Sequence, residues 1–409
     1  MTETAVSVHR RWPFGALHEL RHRPVNQLPA LDGLRAMAVL LVICNHWAAE
    51  WVDVAHLRAP TFVNFPAFYW GWTGVDLFFV LSGFLIGKQL WGELYRTGTI
   101  NIGQFVLRRG LRIWPLYYVT MLILVLLRSS HGPQWPDWVM LSNYIPTVYA
   151  RSWSLSTEEQ FYLLMPTLLL IFSSAVRARW WPACVLLLLA LVPLARAWTF
   201  AQLSTQSLSP ERIAVLMYSA FHLHCEALLI GILVAWVSLR RPSWLGAVPA
   251  PRLAIAAIVG ATTLAIAGIV LRTMNREVFA YLALGCVYGG AICVALADRS
   301  VLTAVLRWPV WYPIARLSFG MYLNHLILRE PTDTILSLVN TALGSGSQAA
   351  FLAGLVLTVA ASALMAAITF VCVEQPGLAM RDRWLSRRTQ SGGLTPSPAL
   401  RSASRPTSP

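Results

Sequence analysis

The chain has 409 residues, 56% of them hydrophobic and 12% charged. Soluble domains carry about 25% charged residues, so this composition excludes a soluble globular protein and points to an all-α integral membrane protein. The net charge of +14 would suit nucleic acid, but the basic residues sit mostly in short segments between apolar runs, a pattern that sets membrane topology and makes the bilayer the partner.

Residues 1–30 are basic and read as a cytoplasmic N-terminal segment. The first apolar run, Leu34–Trp51, holds Arg35 and His46, eleven positions apart, about 16 Å of helical rise. Ionisable residues inside a bilayer are costly and mark function by default. The run lacks a small-x-small cleavage site and continues into Trp47 and Trp51, so it reads as a retained span rather than a removed leader.

Further apolar runs follow at Trp72–Trp91, Leu111–Leu127, Glu159–Val176, Trp180–Trp198, Phe221–Leu239, Leu253–Leu271, Val278–Leu296, Val310–Leu328 and Phe351–Val373. That makes about ten transmembrane helices, each near the ~20 residues a bilayer needs. The fourth is the weakest, being strictly apolar only from Phe161 to Phe172 and containing Pro166. With the N-terminus inside, 23 of the 32 Lys and Arg fall on the cytoplasmic side and 8 outside, Arg35 standing at the first helix start. That bias places both termini in the cytoplasm. Residues 31–378 read as one transmembrane domain and 379–409, basic and rich in Ser and Pro, as a disordered cytoplasmic tail, too short for a folded extracytoplasmic domain. The six cysteines are scattered through apolar runs with no CxxC pairing, so neither a disulfide framework nor a metal site is expected.

Sorting polar residues by depth at ~1.5 Å per residue gathers His46, Asp76, Glu158, Glu159, His222 and Glu226 on one level, the outer third, with Asn324 and His325 close by. His222 and Glu226, four apart, are expected on one helix face. A His beside carboxylates is the layout of an oriented general base. Arg35, Arg108, Arg109 and Arg112 fall instead at cytoplasmic helix ends, where guanidinium forks suit phosphates. An acyl-coenzyme A would place its phosphates there, and its pantetheine arm, roughly 15–20 Å at ordinary bond geometry, would carry the thioester to the His level. Each group has a structural alternative: a satisfied helix-end His, an interfacial helix start at Asp76, a first-turn acidic pair, plain positive-inside arginines, or a structural pair at His222 and Glu226. The convergence at one depth weighs against these.

Six blocks, in order, resemble those of the acyltransferase 3 family of multispanning membrane acyltransferases, over about Leu28 to Pro376: LDGLRAMAVLLVICNH, GVDLFFVLSGFLIG, FVLRRGLRIWPLYY, WSLSTEEQFYLLMP, SFGMYLNH and Glu374-Gln375-Pro376. The chain departs at His224, Glu226, Thr157 and Phe319, where many relatives have Arg, Asp, Val and Tyr. The resemblance implies transfer of acetyl or another acyl group from acyl-coenzyme A, a donor substrate rather than a bound cofactor, to a hydroxyl of a cell-envelope glycan, lipid-linked sugar or secreted metabolite at a bacterial inner membrane. It implies His46 as the essential His, with Glu158 and Glu159 serving the acceptor side; read from the residues, His46 is the general base, oriented by Asp76 or Glu226, and the catalytic set is His46, Asp76, Glu158 and Glu159. Arg35, Arg108, Arg109 and Arg112 would hold the donor. Ser82, Trp153, Ser154, His222, Glu226, Tyr322 and His325 would stand on the acceptor side or support it. The other reading is a transporter or flippase of an acylated or glycosylated lipid; no internal half-repeat favours it. Oligomeric state leaves no trace in the composition.

Overall fold

A computed structural model describes residues 19–20, 22–23, 28–53, 68, 70–127, 133–145, 147, 152–171, 180–243, 277–297, 301–327 and 329–391. Among the described residues the fold is all-helical, without strands. Helix α1 (Pro29–Asp53) begins on a proline, whose missing N–H costs nothing at a helix start. After a 3₁₀ turn at Gly71–Thr73 comes α2 (Gly74–Thr97), stopped by Gly98 in the left-handed region at φ 75°. Helix α3 (Ile102–Leu126) is capped by Asn101, whose side chain accepts from the Gln104 N–H. Then follow α4 (Trp153–Ile171), α5 (Trp181–Ser204), α6 (Pro210–Ser219), a 3₁₀ turn at Phe221–Leu223, α7 (Glu226–Arg240), α8 (Glu277–Ala297), α9 (Trp311–Ile327) and α10 (Arg329–Leu343). Helix α11 (Gln348–Thr369) runs through a π-turn at Phe370–Glu374 into α12 (Gln375–Ser391).

Six helical stretches among the described residues are long and apolar enough to cross a membrane: α1, α2, α3, α5, α8 and the continuous α11–α12. Three of the ten expected spans fall short of that standard. Helix α4 opens with a polar run from Ser154 to Gln160, and α9 has 17 residues. Helix α7 has 15, because it starts at Glu226 rather than Phe221. Leu253–Leu271 lies outside the described residues. Helices α6 and α10 were not expected: both are amphipathic and lack the long apolar run that marks a span. Helix α10 turns Leu336 and Val339 onto Trp47, Trp51 and Phe351. Helix α12 carries helical structure past residue 378, into the stretch read as tail; its Gly377 lies against the Leu111 carbonyl and Pro115 of α3.

Helix α2 is central, packed between α1 and α7, with α4 and α8 also against it; α9 packs between α1 and α11 and touches α3. The α2–α7 crossing is closed by reciprocal glycines. A Cβ at Gly83 would strike the Leu228 carbonyl, and one at Gly231 the Val80 carbonyl. Small residues let helix backbones approach in this way where lipid supplies no hydrophobic drive. Phe84, Trp91, Tyr117 and Phe161, all nearly inaccessible, belong to the core that surrounds this crossing.

Candidate active site

Helices α1, α2, α3, α4 and α9 enclose a pocket of about 850 Å³, its open mouth included. Arg35, Arg109 and Arg112 bring three guanidinium groups to it from two helices, and Glu158 is the carboxylate in its wall. Glu158 lies within electrostatic reach of Arg109 and Arg35 and accepts the Tyr162 hydroxyl at 3.0 Å. The Ser82 and Tyr162 hydroxyls stand 2.7 Å apart. Arg109 donates to Gln89 Oε1 at 2.8 Å and lies over the Phe105 and Tyr162 rings, each 5.8 Å away, so its fork is held in place by stacking as well as by hydrogen bonding.

The polar start of α4 divides by helical periodicity. Ser154, Glu158 and Tyr162, spaced four apart, share one face and line the pocket. Ser156 and Gln160 turn to a clamp built on the Trp135–Trp138 turn. Ser156 and Ser142 hydroxyls are 2.9 Å apart, and the amides of Asn143 and Gln160 bond reciprocally at 2.8 and 2.9 Å. Asp137, fully buried, accepts from Ser152 Oγ at 2.5 Å, Thr147 Oγ1 at 3.1 Å and the Gln134 N–H at 2.8 Å. The clamp satisfies every one of these polar groups against a partner and sets the rotation of α4.

Two of the residues expected beside these stand elsewhere. Glu159 accepts the Trp114 indole N–H at 3.2 Å and does not line the pocket. Arg108, one position from Arg109 and so about 100° round the helix, is outside the pocket as well.

At the far end of α1, His46 Nδ1 is 2.9 Å from His325 Nε2 of α9, with the ring planes 17° from parallel. His325 is 6% exposed and His46 half-buried. Neither His46 nor His325 lines the pocket, but the pocket residue Tyr322 touches both regions: its ring lies 5.7 Å from that of His325, and its hydroxyl is 2.5 Å from that of the pocket residue Ser154. Arg35 and His46 face the same way, since eleven residues turn a helix about 20° past three full turns.

The carboxylates expected to orient His46 are engaged by other side chains. Asp76 Oδ1 is 2.8 Å from His224 Nε2, and His224 Nδ1 is 2.7 Å from the Tyr218 carbonyl. The His224 ring sits in an aromatic cage with Tyr281 at 4.2 Å, Tyr218 at 4.8 Å, Trp153 at 5.6 Å and Phe79 at 5.8 Å. Glu226 Oε1 is 2.6 Å from Arg196 Nη2, both side chains inaccessible. Arg196 also donates to the carbonyls of Leu223 and Val278, and its guanidinium lies 4.7 Å from the Tyr281 ring centre. A buried carboxylate is tolerable only when it is paired and hydrogen-bonded, and the partners of Asp76 and Glu226 come from the turn before α7 and from α5. His222 and Glu226 do not share a helix face: His222 lies in the 3₁₀ turn, exposed, with Nδ1 3.1 Å from the Tyr144 hydroxyl and its ring stacked on Tyr144. Arg196 was not among the residues expected at the site; its signal in the sequence was a charge inside the apolar run Trp181–Ser204.

Comparison with known proteins follows the same outline. The profile of a family described as an acyltransferase domain matches residues 28–367. The chain is 27% identical over 391 residues to a peptidoglycan O-acetyltransferase of Listeria monocytogenes, covering 85% of this chain and 55% of that protein. It is 33% identical over 161 residues to an O-acetyltransferase of Staphylococcus aureus, covering 34% of this chain and 24% of that one. The chain thus spans about half the length of the Listeria relative, and less of the other. No solved structure matches it with significance.

Proposed function

The chain belongs to the acyltransferase 3 family, and on that premise we propose that it is a multi-pass inner-membrane O-acyltransferase that moves an acyl group, acetyl first among them, from acyl-coenzyme A to a hydroxyl of the cell envelope. The observation that carries this reading is a pocket with three guanidiniums in its wall whose residue Tyr322 packs against the His325–His46 pair, His46 lying on the same helix and the same face as Arg35. Ten crossings with both termini cytoplasmic complete the proposal, supported by the charge bias of the short connecting segments.

In this mechanism Arg35, Arg109 and Arg112 hold the donor phosphates and the pantetheine arm runs along α1. The acceptor oxygen attacks the thioester carbonyl as His46 takes its proton. The carbon–oxygen bond forms, the carbon–sulfur bond breaks, and the departing thiolate recovers the proton from His46. Glu158, between the arginines and Tyr162, keeps the unoccupied pocket from accumulating uncompensated positive charge. Arg108 falls out of the donor set, and Asp76, Glu159 and Glu226 take structural roles. The name of the Listeria relative makes a peptidoglycan hydroxyl the first acceptor to test, ahead of a lipid-linked sugar or secreted metabolite.

The test feeds labelled acetyl-coenzyme A to inverted membrane vesicles holding the wild-type protein or His46→Ala. Label is followed into glycan, lipid and small-molecule fractions. Label that depends on His46 supports the proposal and identifies the acceptor class. Label and coenzyme A release that are unchanged in His46→Ala refute it, and a lipid carried across without modification would favour transport instead.

A further inference from the structure

We propose that His325 is the positioning residue for His46, a neutral imidazole standing where a carboxylate would otherwise orient the base. The inference rests on the acyltransferase reading above. Two ring nitrogens 2.9 Å apart bond only when one carries a hydrogen and the other a lone pair. A general base working through Nε2 must hold its proton on Nδ1, and Nδ1 is the nitrogen of His46 that meets His325. His325 Nε2 is then the acceptor, and the hydrogen of that ring resides on its Nδ1.

The choice of partner follows from the surroundings. His325 is 6% exposed, and a carboxylate in that place would add a buried negative charge to the resting site. The imidazole pair is neutral at rest. When the acceptor's proton arrives on His46 Nε2, the Nδ1 proton shifts toward His325 Nε2 and the positive charge spreads over two rings. It returns as the thiolate is protonated, so the pair ends the cycle as it began. Asp76 and Glu226 do not compete for this role, being bonded to His224 and Arg196.

Helix α9 is built to hold His325 at this angle. Ser318, Tyr322 and His325, spaced by four and three, lie on one face, and the first two line the pocket. Asn324, on another side of the helix, donates to Thr369 Oγ1 of α11 at 3.0 Å and fixes the rotation of α9.

His325→Leu and His325→Gln separate packing from hydrogen bonding, because the two replacements have similar volume and the Gln amide oxygen accepts a bond from Nδ1–H. Transfer is measured in vesicles with labelled acetyl-coenzyme A, at equal amounts of inserted protein, beside His46→Ala and the double variant His46→Ala/His325→Leu. His325→Leu is expected to lower kcat about 10- to 100-fold, less than the ~10²–10⁴ carried by a general base itself, with KM for acetyl-coenzyme A within about twofold of wild type. His325→Gln is expected to recover most of the loss, and the double variant to be no slower than His46→Ala, as for two residues acting through one step. If His325→Leu fails to insert, His325→Phe, which keeps a ring, takes its place. Wild-type kcat in the apolar variant while His46→Ala is inactive overturns this proposal and leaves the acyltransferase reading intact. Equal loss in the Leu and Gln variants overturns it too. Full activity in His46→Ala overturns both.

Discussion

Replacing Arg196 by Met strands Glu226. Both side chains are inaccessible, and Arg196 bonds Glu226 at 2.6 Å, the Val278 carbonyl at 2.6 Å and the Leu223 carbonyl. Removing one member of a buried ion pair costs about 3–5 kcal/mol. Each carbonyl that loses its donor adds about 0.5–1.5 kcal/mol. The single substitution should therefore cost about 4–8 kcal/mol. Adding Glu226→Met takes away the stranded charge and leaves only the carbonyl deficit, about 1–3 kcal/mol. The second substitution is thus expected to stabilise the first, an inversion of the usual rule that core changes accumulate. The assay is thermal unfolding of the detergent-solubilised protein, followed by the fraction that remains monodisperse after heating. Midpoints should rank wild type, then the double variant, then Arg196→Met. A double variant that unfolds below Arg196→Met would refute the reasoning, because the two side chains would then be acting independently.

Arg35→Gln or Arg109→Gln should each raise KM for acetyl-coenzyme A about 10- to 100-fold, the loss of one charge-assisted contact of about 1.5–3 kcal/mol. Arg108→Gln, outside the pocket, should change it less than about threefold, and initial rates at varied donor concentration decide between them. Gly83→Leu is expected to abolish folded protein, since its Cβ meets the Leu228 backbone; a normal yield on gel filtration would show that the α2–α7 crossing is looser than described. Asp137→Ala removes the acceptor shared by Ser152, Thr147 and Gln134 and should lower both the unfolding midpoint and kcat, at roughly 2–4 kcal/mol for the three lost bonds; unchanged kcat would separate the clamp from the pocket.

The helical character of the apolar runs was legible in the sequence, and direction round the helix only in part. Arg35 and His46 lie on one helix at a spacing that already fixes both their separation and their common face. Arg108, Arg109 and Arg112 share a helix end, so depth alone grouped them, whereas the pocket receives only Arg109 and Arg112. Depth arithmetic grouped Asp76, Glu226 and His46, but which partner each carboxylate meets depends on how α5, α7 and α9 pack, and a single chain carries no direct signal of that. Ser154, Glu158 and Tyr162 were within reach of a periodicity argument, because steps of four along α4 separate them from Ser156 and Gln160. The break between His222 and Glu226 was harder to foresee: the apolar run continues through it, and the turn is held by contacts from Arg196 and Asp76 far away in sequence.

The interlocked glycines of α2 and α7 make those two helices one fixed unit behind the pocket wall that α2 supplies. Backbone meets backbone there, so no side-chain rearrangement can slide one past the other. Where α4 and α9 meet across the cavity they do so through the Ser154 and Tyr322 hydroxyls rather than through main chain, so a side-chain rotation suffices to change that wall.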